Sequence, residues 1–288
     1  MARSVLGVIG GSGFYQMPGL ELVETVELST PFGAPSDAYY RGQMGEVEVI
    51  FLARHGRGHR ILPSEINYRA NIYGMKALGV QRLVSVSTAG SMKERIAPGD
   101  LVVVDQFIDH TYQRRPTFFG DGIVAHVSLA DPVCAALRQD LVAAGRSAGA
   151  TVHDGGTYLC IEGPQFSTRA ESKLYRAWNV DVISMTAMQE ARLAREAEFC
   201  YATLTLVTDY DCWHESAGPV DIGEILRVMR LNVEKAQRAV ANLAHTLAGR
   251  SRRTCACGQS LKDAIITERK SIPAGTLENL RPIIGKYI

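Results

Sequence analysis

Short apolar runs alternate with amphipathic segments along most of the chain. Runs of this length, bounded by turn residues, predict buried strands, and the segments between them predict helices. Such alternation is typical of a mostly parallel or mixed sheet that is covered by helices. The predicted strands are Val5–Ile9, Val47–Leu52, Arg82–Val86, Leu101–Val104, Thr157–Ile161, Val180–Ile183 and Tyr201–Val207, and the predicted helices are Ser64–Leu78, Pro132–Ala148, Arg169–Trp178, Met188–Glu198 and Asp221–Leu247.

Two regions interrupt this alternation. Asp105–Val127 is long and charged and shows little periodicity, and loops of that length are usually functional or lie at an interface. After Leu247 a basic linker leads to a segment in which Gln259–Lys270 could form a last helix. We therefore predict one domain, residues 1–249, and a C-terminal extension, residues 250–288, that carries a Cys-x-Cys pair.

The charge balance limits the classes of partner. Lys and Arg number 31 against 30 Asp and Glu, so the formal net charge is +1. This balance argues against nucleic acid or a membrane surface as a partner. The first residues resemble neither a signal peptide nor a membrane span, so we expect a cytosolic protein.

Six cysteines are scattered along the 288 residues. Cys134, Cys160, Cys200 and Cys212 lie in apolar or mixed segments and are predicted to be small buried hydrophobic residues. The pair formed by Cys255 and Cys257 lacks two more Cys or His at ligand spacing nearby. No metal-ligand set is therefore predicted.

Two carboxylates follow the last predicted strand, in the string Thr-Asp-Tyr-Asp-Cys-Trp over residues 208–213. Open α/β sheets bind ligands at the carboxyl ends of their strands. In an extended segment Asp209 and Asp211 would point to the same side. If one acid is protonated and the other ionised, the pair suits a base that carries a ring nitrogen beside an amino group.

Three other strand ends suggest an anion site. Gly10–Gly13 is a glycine turn with a hydroxyl, Arg54–Arg60 contains three arginines and two histidines, and Ser87–Ser91 is rich in small hydroxyl residues. Each alone could be an ordinary turn or a solvated loop, but three in one chain favour anion binding. The first does not match a dinucleotide fingerprint, because Gln16 stands where the third glycine is needed.

The segment after residue 161 has both a structural and a functional interpretation. Thr168 and Glu171 have the spacing of a helix capping box. Phe166 could stack on a purine or belong to the core, and Met185 could line a ribose or be a core residue.

A lone histidine such as His126 is more often structural than catalytic.

Taken together, these segments resemble the nucleoside phosphorylases, a family of trimeric, phosphate-dependent enzymes, and in particular members that act on 5′-methylthioadenosine. The resemblance covers about residues 5–245. It implies an α/β single domain with a central mixed, partly barrel-like sheet flanked by helices. The matching strings are Gly10–Gly13, Arg54–Gly56, Asn67–Asn71, Pro98–Asp100, Asp105–Asp109, Glu162–Pro164, Phe166–Ser167, Arg169–Ser172 and Thr208–Trp213.

The resemblance implies a phosphorolysis that serves purine and methionine salvage. Phosphate would attack C1′ of methylthioadenosine and give adenine and 5-methylthioribose 1-phosphate through an oxocarbenium-like transition state. Inorganic phosphate would be a co-substrate, and no cofactor is implied. An amino group at position 6 of the base calls for a carboxylate acceptor, whereas a 6-oxo purine calls for a donor, so the two acids favour adenine.

The roles implied by the resemblance divide the site residues into groups. Asp209 would be the general acid at purine N7, and Asp211 would recognise the 6-amino group. His126 would come from a neighbouring subunit. The other groups are Ser12, Arg54, His55, Ser87, Thr88 and Thr186 for phosphate; Met185 for the ribose; Phe166 and Ser167 for the base; and Ile222 and Ile225 for an apolar 5′ pocket.

The sequence departs from animal members of the family in a few places. Ser12 and Ser87 replace the usual Thr, and Thr88 replaces a small Ala; these changes keep or add a hydroxyl, so we expect the phosphate-binding role to persist. The Cys-x-Cys extension resembles that of thermostable archaeal and some bacterial members that form dimers of trimers, so a trimer and a hexamer both remain open. A disulfide or redox role for Cys255 and Cys257 is a hypothesis.

Two further functions stay open. A methylthioinosine or general purine nucleoside phosphorylase would share the phosphate site, although the paired acids argue against it. A catalytically silent nucleotide sensor could share the fold, because fold and function can separate. It would not need both Arg54 under the sugar and Asp209 at the leaving base. A nicotinamide oxidoreductase is excluded by the missing third glycine.

Overall fold

A computed structural model describes residues 4–214, 222–250 and 255–288. Within these ranges a mixed sheet is flanked by helices, so the predicted α/β class with a mixed sheet is confirmed. The strands are β1 (Val5–Gly10), β2 (Glu21–Val26), β3 (Tyr39–Met44), β4 (Val47–Ala53), β5 (Arg82–Ser91), β6 (Leu101–Val103), β7 (Gln106–His110), β8 (Val152–Asp154), β9 (Thr157–Ile161), β10 (Val182–Ser184) and β11 (Cys200–Asp209). The helices are α1 (Tyr68–Ala77), α2 (Ala135–Ser147), α3 (Arg169–Ala177), α4 (Ala187–Glu196), α5 (Ile222–Leu247) and α6 (Ala274–Ile284).

The sheet divides at β5. One path runs β2-β3-β4-β1-β5-β10-β9-β7, and β5 also pairs with β11, which continues through β6 to β8. The pairs β1–β4, β1–β5 and β5–β11 are parallel, whereas β2–β3, β3–β4, β5–β10 and β6–β11 are antiparallel. The carboxyl ends of β1, β4, β5 and β11 consequently lie at one edge of the sheet.

Side chains of the central strands alternate between two apolar cores, as the pleat of a strand requires. In β1, Leu6 and Val8 pack into the core beneath α2 and α5. Ile9 packs into the opposite core, which α1, α4 and α6 cover. Because both faces of these strands are buried, they appear in the sequence as continuous apolar runs.

The strand β5 is longer than its apolar run. It continues through Ser87 and Thr88 to Ser91, because these residues pair with β11. The alternative that Ser87–Ser91 is an ordinary turn is therefore excluded, and the predicted end of this strand at Val86 is five residues too early. The registered pairs Thr88–Leu206 and Gly90–Asp209 bring its hydroxyl residues to the same edge as the end of β11.

Three further expectations are corrected. Asp105–Val127 is not structureless, because Gln106–His110 forms β7 in parallel with β9. The strands β2 and β3 were not predicted; β2 lies at the edge of the sheet with five of six residues exposed, so it has no apolar run. Gln259–Lys270 is not a helix: 3-10 turns lie near its two ends, at Ala256–Gln259 and Arg269–Ser271, and the last helix is α6.

The described part of the C-terminal extension packs into the core covered by α1 and α4. Leu261, Leu280 and Ile283 are buried there. Ala125 and Ile265 form an isolated antiparallel bridge, which joins the extension to the segment after β7. The division at residue 249 stays a prediction. Among the described residues, no helix is both long enough and apolar enough to cross a membrane.

Candidate active site

Asp209 is the last residue of β11 and faces the neighbouring strand β5. Its carboxylate accepts hydrogen bonds from the Thr208 hydroxyl at 2.7 Å and from the backbone N–H of Asp211 at 2.7 Å. A Cβ on Gly90 of β5 would lie 2.9 Å from Asp209 Oδ1. The absence of a side chain at Gly90 therefore leaves the space that this carboxylate occupies.

Asp211 does not continue the strand. Its φ is +52°, and its side chain turns inward to accept a hydrogen bond from Ser172 of α3. The prediction that an extended chain aims both acids to one side is wrong, because the chain turns after Asp209. The two acids nevertheless lie together, through the bond from the Asp211 N–H to Asp209. Burial raises the pKa of Asp211, and the hydrogen bond from Ser172 opposes part of this rise.

Arg54 joins three strands. It follows β4, its backbone N–H donates to Gly10 at the end of β1 at 2.9 Å, and its Nη1 donates to the carbonyl of Val86 in β5 at 2.9 Å. Its guanidinium also makes a two-pronged ion pair with Glu190 of α4, at 2.5 and 3.1 Å. Burial lowers the pKa of Arg54, but Glu190 more than offsets this, so that the pKa is raised and the side chain stays charged.

His55 is held as a neutral ring. Burial lowers its pKa to about 4, and the bond to Ile61 only partly opposes this. Its Nδ1 lies 2.8 Å from the carbonyl oxygen of Ile61. Because a carbonyl oxygen only accepts, Nδ1 carries the proton and Nε2 is left as an acceptor. A neutral histidine of this tautomer can accept a hydrogen bond from a protonated phosphate oxygen.

Two hydroxyl groups predicted to bind ligands are buried without a hydrogen-bond partner in the described structure. They are Ser87 Oγ in β5 and Ser167 Oγ in the loop before α3. Buried polar groups in proteins are usually satisfied, so each unpaired group needs an explanation. A bound phosphate near Ser87 and a bound base near Ser167 would provide one.

The other predicted phosphate residues lie in or next to β1, β5 and α4. Thr186 is buried directly before α4, and its hydroxyl does not cap that helix. Thr88 is half-buried in β5, and its carbonyl accepts from Ser184 at 2.6 Å. Ser12 begins a 3-10 turn after β1. The N-terminus of α4 adds a partial positive charge that favours an anion there.

Residues predicted for the base and ribose flank α3 and α4. Phe166 is exposed in this single chain. Met185 is half-buried next to Gly163, where a Cβ would overlap the Met185 sulfur. The predicted capping box is confirmed, since Thr168 and Glu171 each accept a hydrogen bond from the other's backbone N–H. The α3 cap therefore fixes the position of the loop that carries Phe166 and Ser167.

Three predicted residues lie apart from this group in the contacts that the structure gives. Ile222 is exposed and Ile225 is half-buried in the first turn of α5. Residues 215–221, which include Asp221 at the predicted start of this helix, lie outside the described residues. His126 is exposed, and its backbone N–H donates to Ala264 of the C-terminal extension at 2.8 Å.

The residues that support the site from behind were not predicted from the sequence. Glu190 and Ser85 hold Arg54, at sequence separations of 136 and 31. Arg114, whose side chain is almost fully buried, donates to Gln189 at 3.0 Å and to the Glu162 carbonyl at 2.7 Å. The only signal for Arg114 was its position in the long segment Asp105–Val127, and Glu190 gave none.

The sequence profile described as "Phosphorylase superfamily" matches residues 5–245, which is most of the chain. The chain belongs to this superfamily. It is 56% identical over 287 residues to an S-methyl-5′-thioadenosine phosphorylase from Geobacter sulfurreducens, covering 99% of this chain and 100% of the relative. It is 50% identical over 266 residues to one from Hyperthermus butylicus, covering 92% and 96%.

Solved structures of superfamily members have the same fold. A methylthioadenosine phosphorylase from an antarctic soil metagenomic library superposes with a TM-score of 0.93 at 45% identity, covering 98% of this chain and 99% of that one. A methylthioadenosine phosphorylase from Schistosoma mansoni in complex with adenine superposes with a TM-score of 0.86 at 33% identity, covering 91% and 99%.

Proposed function

We propose that the protein catalyses the phosphorolysis of S-methyl-5′-thioadenosine to adenine and 5-methylthioribose 1-phosphate. The observation that carries this proposal is the meeting of two kinds of group at one edge of the sheet. Arg54 and the unpaired Ser87 hydroxyl suit an anion. Asp209, at the end of the adjoining strand, suits the proton that a leaving purine needs. The same reaction is supported by the S-methyl-5′-thioadenosine phosphorylases that are 56% and 53% identical to this chain.

The phosphate would be held by groups that the structure keeps in fixed protonation states. Arg54 has five N–H donors, and its Nη1 has a second N–H besides the one given to Val86. Ser87 can donate its hydroxyl hydrogen, and neutral His55 can accept through Nε2. Together these groups suit a singly protonated phosphate, which both accepts and donates.

The proposed reaction is a substitution at C1′. A phosphate oxygen forms a bond to C1′ while the bond from C1′ to purine N9 breaks, and its electron pair moves onto the purine. Asp209 transfers a proton to N7, so adenine leaves as a neutral base. General acids of this kind contribute about 10²–10⁴-fold to the rate. No other co-reactant is needed, and no cofactor is part of the proposal.

The adenine specificity would rest on Asp211. One of its carboxylate oxygens accepts from Ser172, which fixes the side chain in place. The other can accept from the 6-amino group of adenine. Ile222 and Ile225 would form the apolar wall for the 5′-methylthio group, with Met185 against the ribose and Phe166 and Ser167 against the base. An apolar contact of that size is worth about 1–3 kcal/mol, so adenosine would be a poor substrate.

We propose that the active form is a homotrimer or a dimer of trimers in the cytosol. The exposed Phe166 and His126 support this assembly, since a neighbouring subunit would cover the first and supply the second. Mass measurement in solution tests the assembly. His126→Ala should then raise the KM for the nucleoside without dissociating the oligomer. An unchanged KM would remove His126 from the proposed site.

The reaction is tested with methylthioadenosine, adenosine, methylthioinosine and inosine, each with and without phosphate. Phosphate-dependent release of adenine, fastest from methylthioadenosine, is the expected result. Fastest release of hypoxanthine would keep the phosphate site and overturn the roles given to the two acids. Binding of nucleoside without any release of base would favour the nucleotide sensor.

A further inference from the structure

The fold brings four cysteines together at a place remote from the predicted active site. They are Cys134 directly before α2, Cys200 at the start of β11, and Cys255 and Cys257 in the C-terminal extension. Their four sulfur atoms all lie within 4.8 Å of one another. The reason given for expecting no metal-ligand set therefore fails, because the two ligands missing near Cys255 and Cys257 come from distant parts of the chain.

We propose that this cluster, Cys134, Cys200, Cys255 and Cys257, is a structural site for one zinc ion held by four thiolates. Zinc binds four thiolates tetrahedrally at about 2.3 Å, which places the sulfurs roughly 3.8 Å apart. The measured limit of 4.8 Å and the Cys200–Cys255 sulfur distance of 3.2 Å lie on either side of that value. Shifts of about 1 Å or less would complete the tetrahedron.

The surroundings of the cluster suit a closed structural site. Cys134, Cys200 and Cys257 are buried, and Cys255 packs against the same apolar core. Structural zinc sites have four protein ligands and no open position, and the cluster offers four thiols. Soft thiolates arranged tetrahedrally also select against magnesium and calcium, which prefer oxygen ligands.

A backbone hydrogen bond holds Cys134 close to Cys200. Nearby positive groups also balance part of the negative charge that a zinc site of four thiolates would carry. The N–H of Cys134 donates to the carbonyl of Tyr201 at 2.8 Å, which ties the start of α2 to β11. A zinc ion with four thiolates carries a charge of about −2, since binding releases the thiol protons. Arg195 Nη1 lies 3.9 Å from Cys257 Sγ, and the N-terminus of α2 adds a partial positive charge at Cys134.

The site would bind the C-terminal extension to the domain. Two ligands belong to elements of the sheet and its covering helix, and two follow the segment 251–254, which lies outside the described residues. Cys200 and Asp209 are at opposite ends of β11, about 30 Å apart at 3.3 Å per residue. The ion would therefore stabilise the fold and take no part in the reaction.

Metal analysis of the full-length protein, purified without chelator, is the first test. One zinc per chain is expected, together with six free thiols after denaturation in chelator. Protein grown with cobalt should show thiolate charge-transfer bands and the visible bands of tetrahedral cobalt. Zinc-free protein with six free thiols would overturn the proposal. Zinc-free protein with four or two free thiols would also overturn it, because it would show one or two disulfides. Iron in place of zinc would overturn the choice of metal.

Cysteine variants localise the ion. Cys255→Ser and Cys257→Ser should each lose most of the zinc and unfold at a lower temperature. Cys160→Ala, a buried cysteine outside the cluster, is the matched control and should keep one zinc per chain. If a serine variant does not fold, release of zinc from the unmodified protein by a mercurial reagent, detected with a chromogenic chelator, gives the same information. Zinc retained in both serine variants would place the ion elsewhere.

Discussion

Arg54 and Glu190 form a buried ion pair that crosses the sheet from the end of β4 to the first turn of α4. The guanidinium and carboxylate meet at two points, and both side chains are at most 4% exposed. A charge buried in this way must be paired, because an isolated one is strongly disfavoured. The pair therefore allows Arg54 to remain charged at the place where we propose that phosphate binds.

Glu190→Gln should destabilise the protein and weaken phosphate binding together. Loss of one partner of a buried pair typically costs about 3–5 kcal/mol, because the other charge stays buried. We expect a lower urea midpoint and a higher KM for phosphate, with a smaller change in the KM for the nucleoside. Glu278→Gln, which removes an exposed pair with Arg281, is the control and should change neither. Equal effects on both KM values would contradict a role through Arg54.

Asp209→Ala should lower kcat by about 10²–10⁴-fold, since a general acid contributes this much. The KM for phosphate should change little, because the residues that we propose to bind phosphate lie outside β11. Steady-state kinetics with methylthioadenosine measure both, and Asp131→Ala at an exposed position is the control. Near-native turnover would remove Asp209 from the role of proton donor.

Asp211→Asn should shift selectivity from adenine to 6-oxo bases. An amide can donate to a 6-oxo group, whereas we propose that the carboxylate of Asp211 accepts from a 6-amino group. The ratio of kcat/KM for methylthioadenosine to that for methylthioinosine should fall by about tenfold or more. Ser172→Ala, which removes the hydrogen bond that fixes Asp211, should lower the same ratio less. An unchanged ratio in Asp211→Asn would mean that another group recognises position 6.

His55→Asn should remove part of the pH dependence of stability. The pKa of His55 is about 4 in the folded protein and about 6.5 when unfolded, so between these values the unfolded chain binds more protons. The contribution of His55 is therefore full above pH 6.5 and falls as the pH drops to 4, by at most about 3 kcal/mol.

The His55 prediction is checked by urea unfolding at several pH values. An amide placed like the ring can still donate to Ile61 but does not titrate, so the slope between pH 6.5 and 4 should flatten in His55→Asn. His245→Asn, at an exposed histidine, is the control and should keep the slope of the unmodified protein. Parallel slopes in all three proteins would show that His55 titrates normally.

Gly90→Ala should impair the reaction without unfolding the protein. The new methyl group would lie 2.9 Å from Asp209 Oδ1 and 3.3 Å from the backbone nitrogen of Asp211, so both must shift. We expect kcat to fall by at least tenfold, since small displacements of catalytic groups are costly. Gly275→Ala, where no atom lies within 4 Å of the new carbon, is the control. A Gly90→Ala enzyme with normal kcat would show that Asp209 has room to move.

The edge of the sheet was predictable because strand ends are local features of the sequence. Arg54, Ser87 and Asp209 each follow or end an apolar run, and parallel strands bring such ends together. The contacts behind them were not predictable, because Glu190 lies 136 positions from Arg54 and no local pattern marks the pairing. The turn at Asp211 also escaped prediction, and its hydrogen-bond partner Ser172 is 39 positions away.

The four-cysteine cluster was also not predictable from local sequence patterns. Local spacing revealed only Cys255 and Cys257, and Cys134 and Cys200 looked like ordinary apolar residues of their segments. The register of β11 and the start of α2 bring these two residues to the pair. Ligand sets divided over three distant segments need the tertiary structure to be seen.

Arg114 has a consequence for how substrate can enter. Its side chain donates to the Met185 carbonyl on one side and to the Glu162 carbonyl on the other, so it ties the segment before α4 to the segment after β9. Displacing either segment must either break its hydrogen bond to the Arg114 guanidinium or move the guanidinium with it. We therefore expect the proposed ribose side and the proposed base side to open in one concerted motion, so that the rate of product release depends on the two segments as a unit.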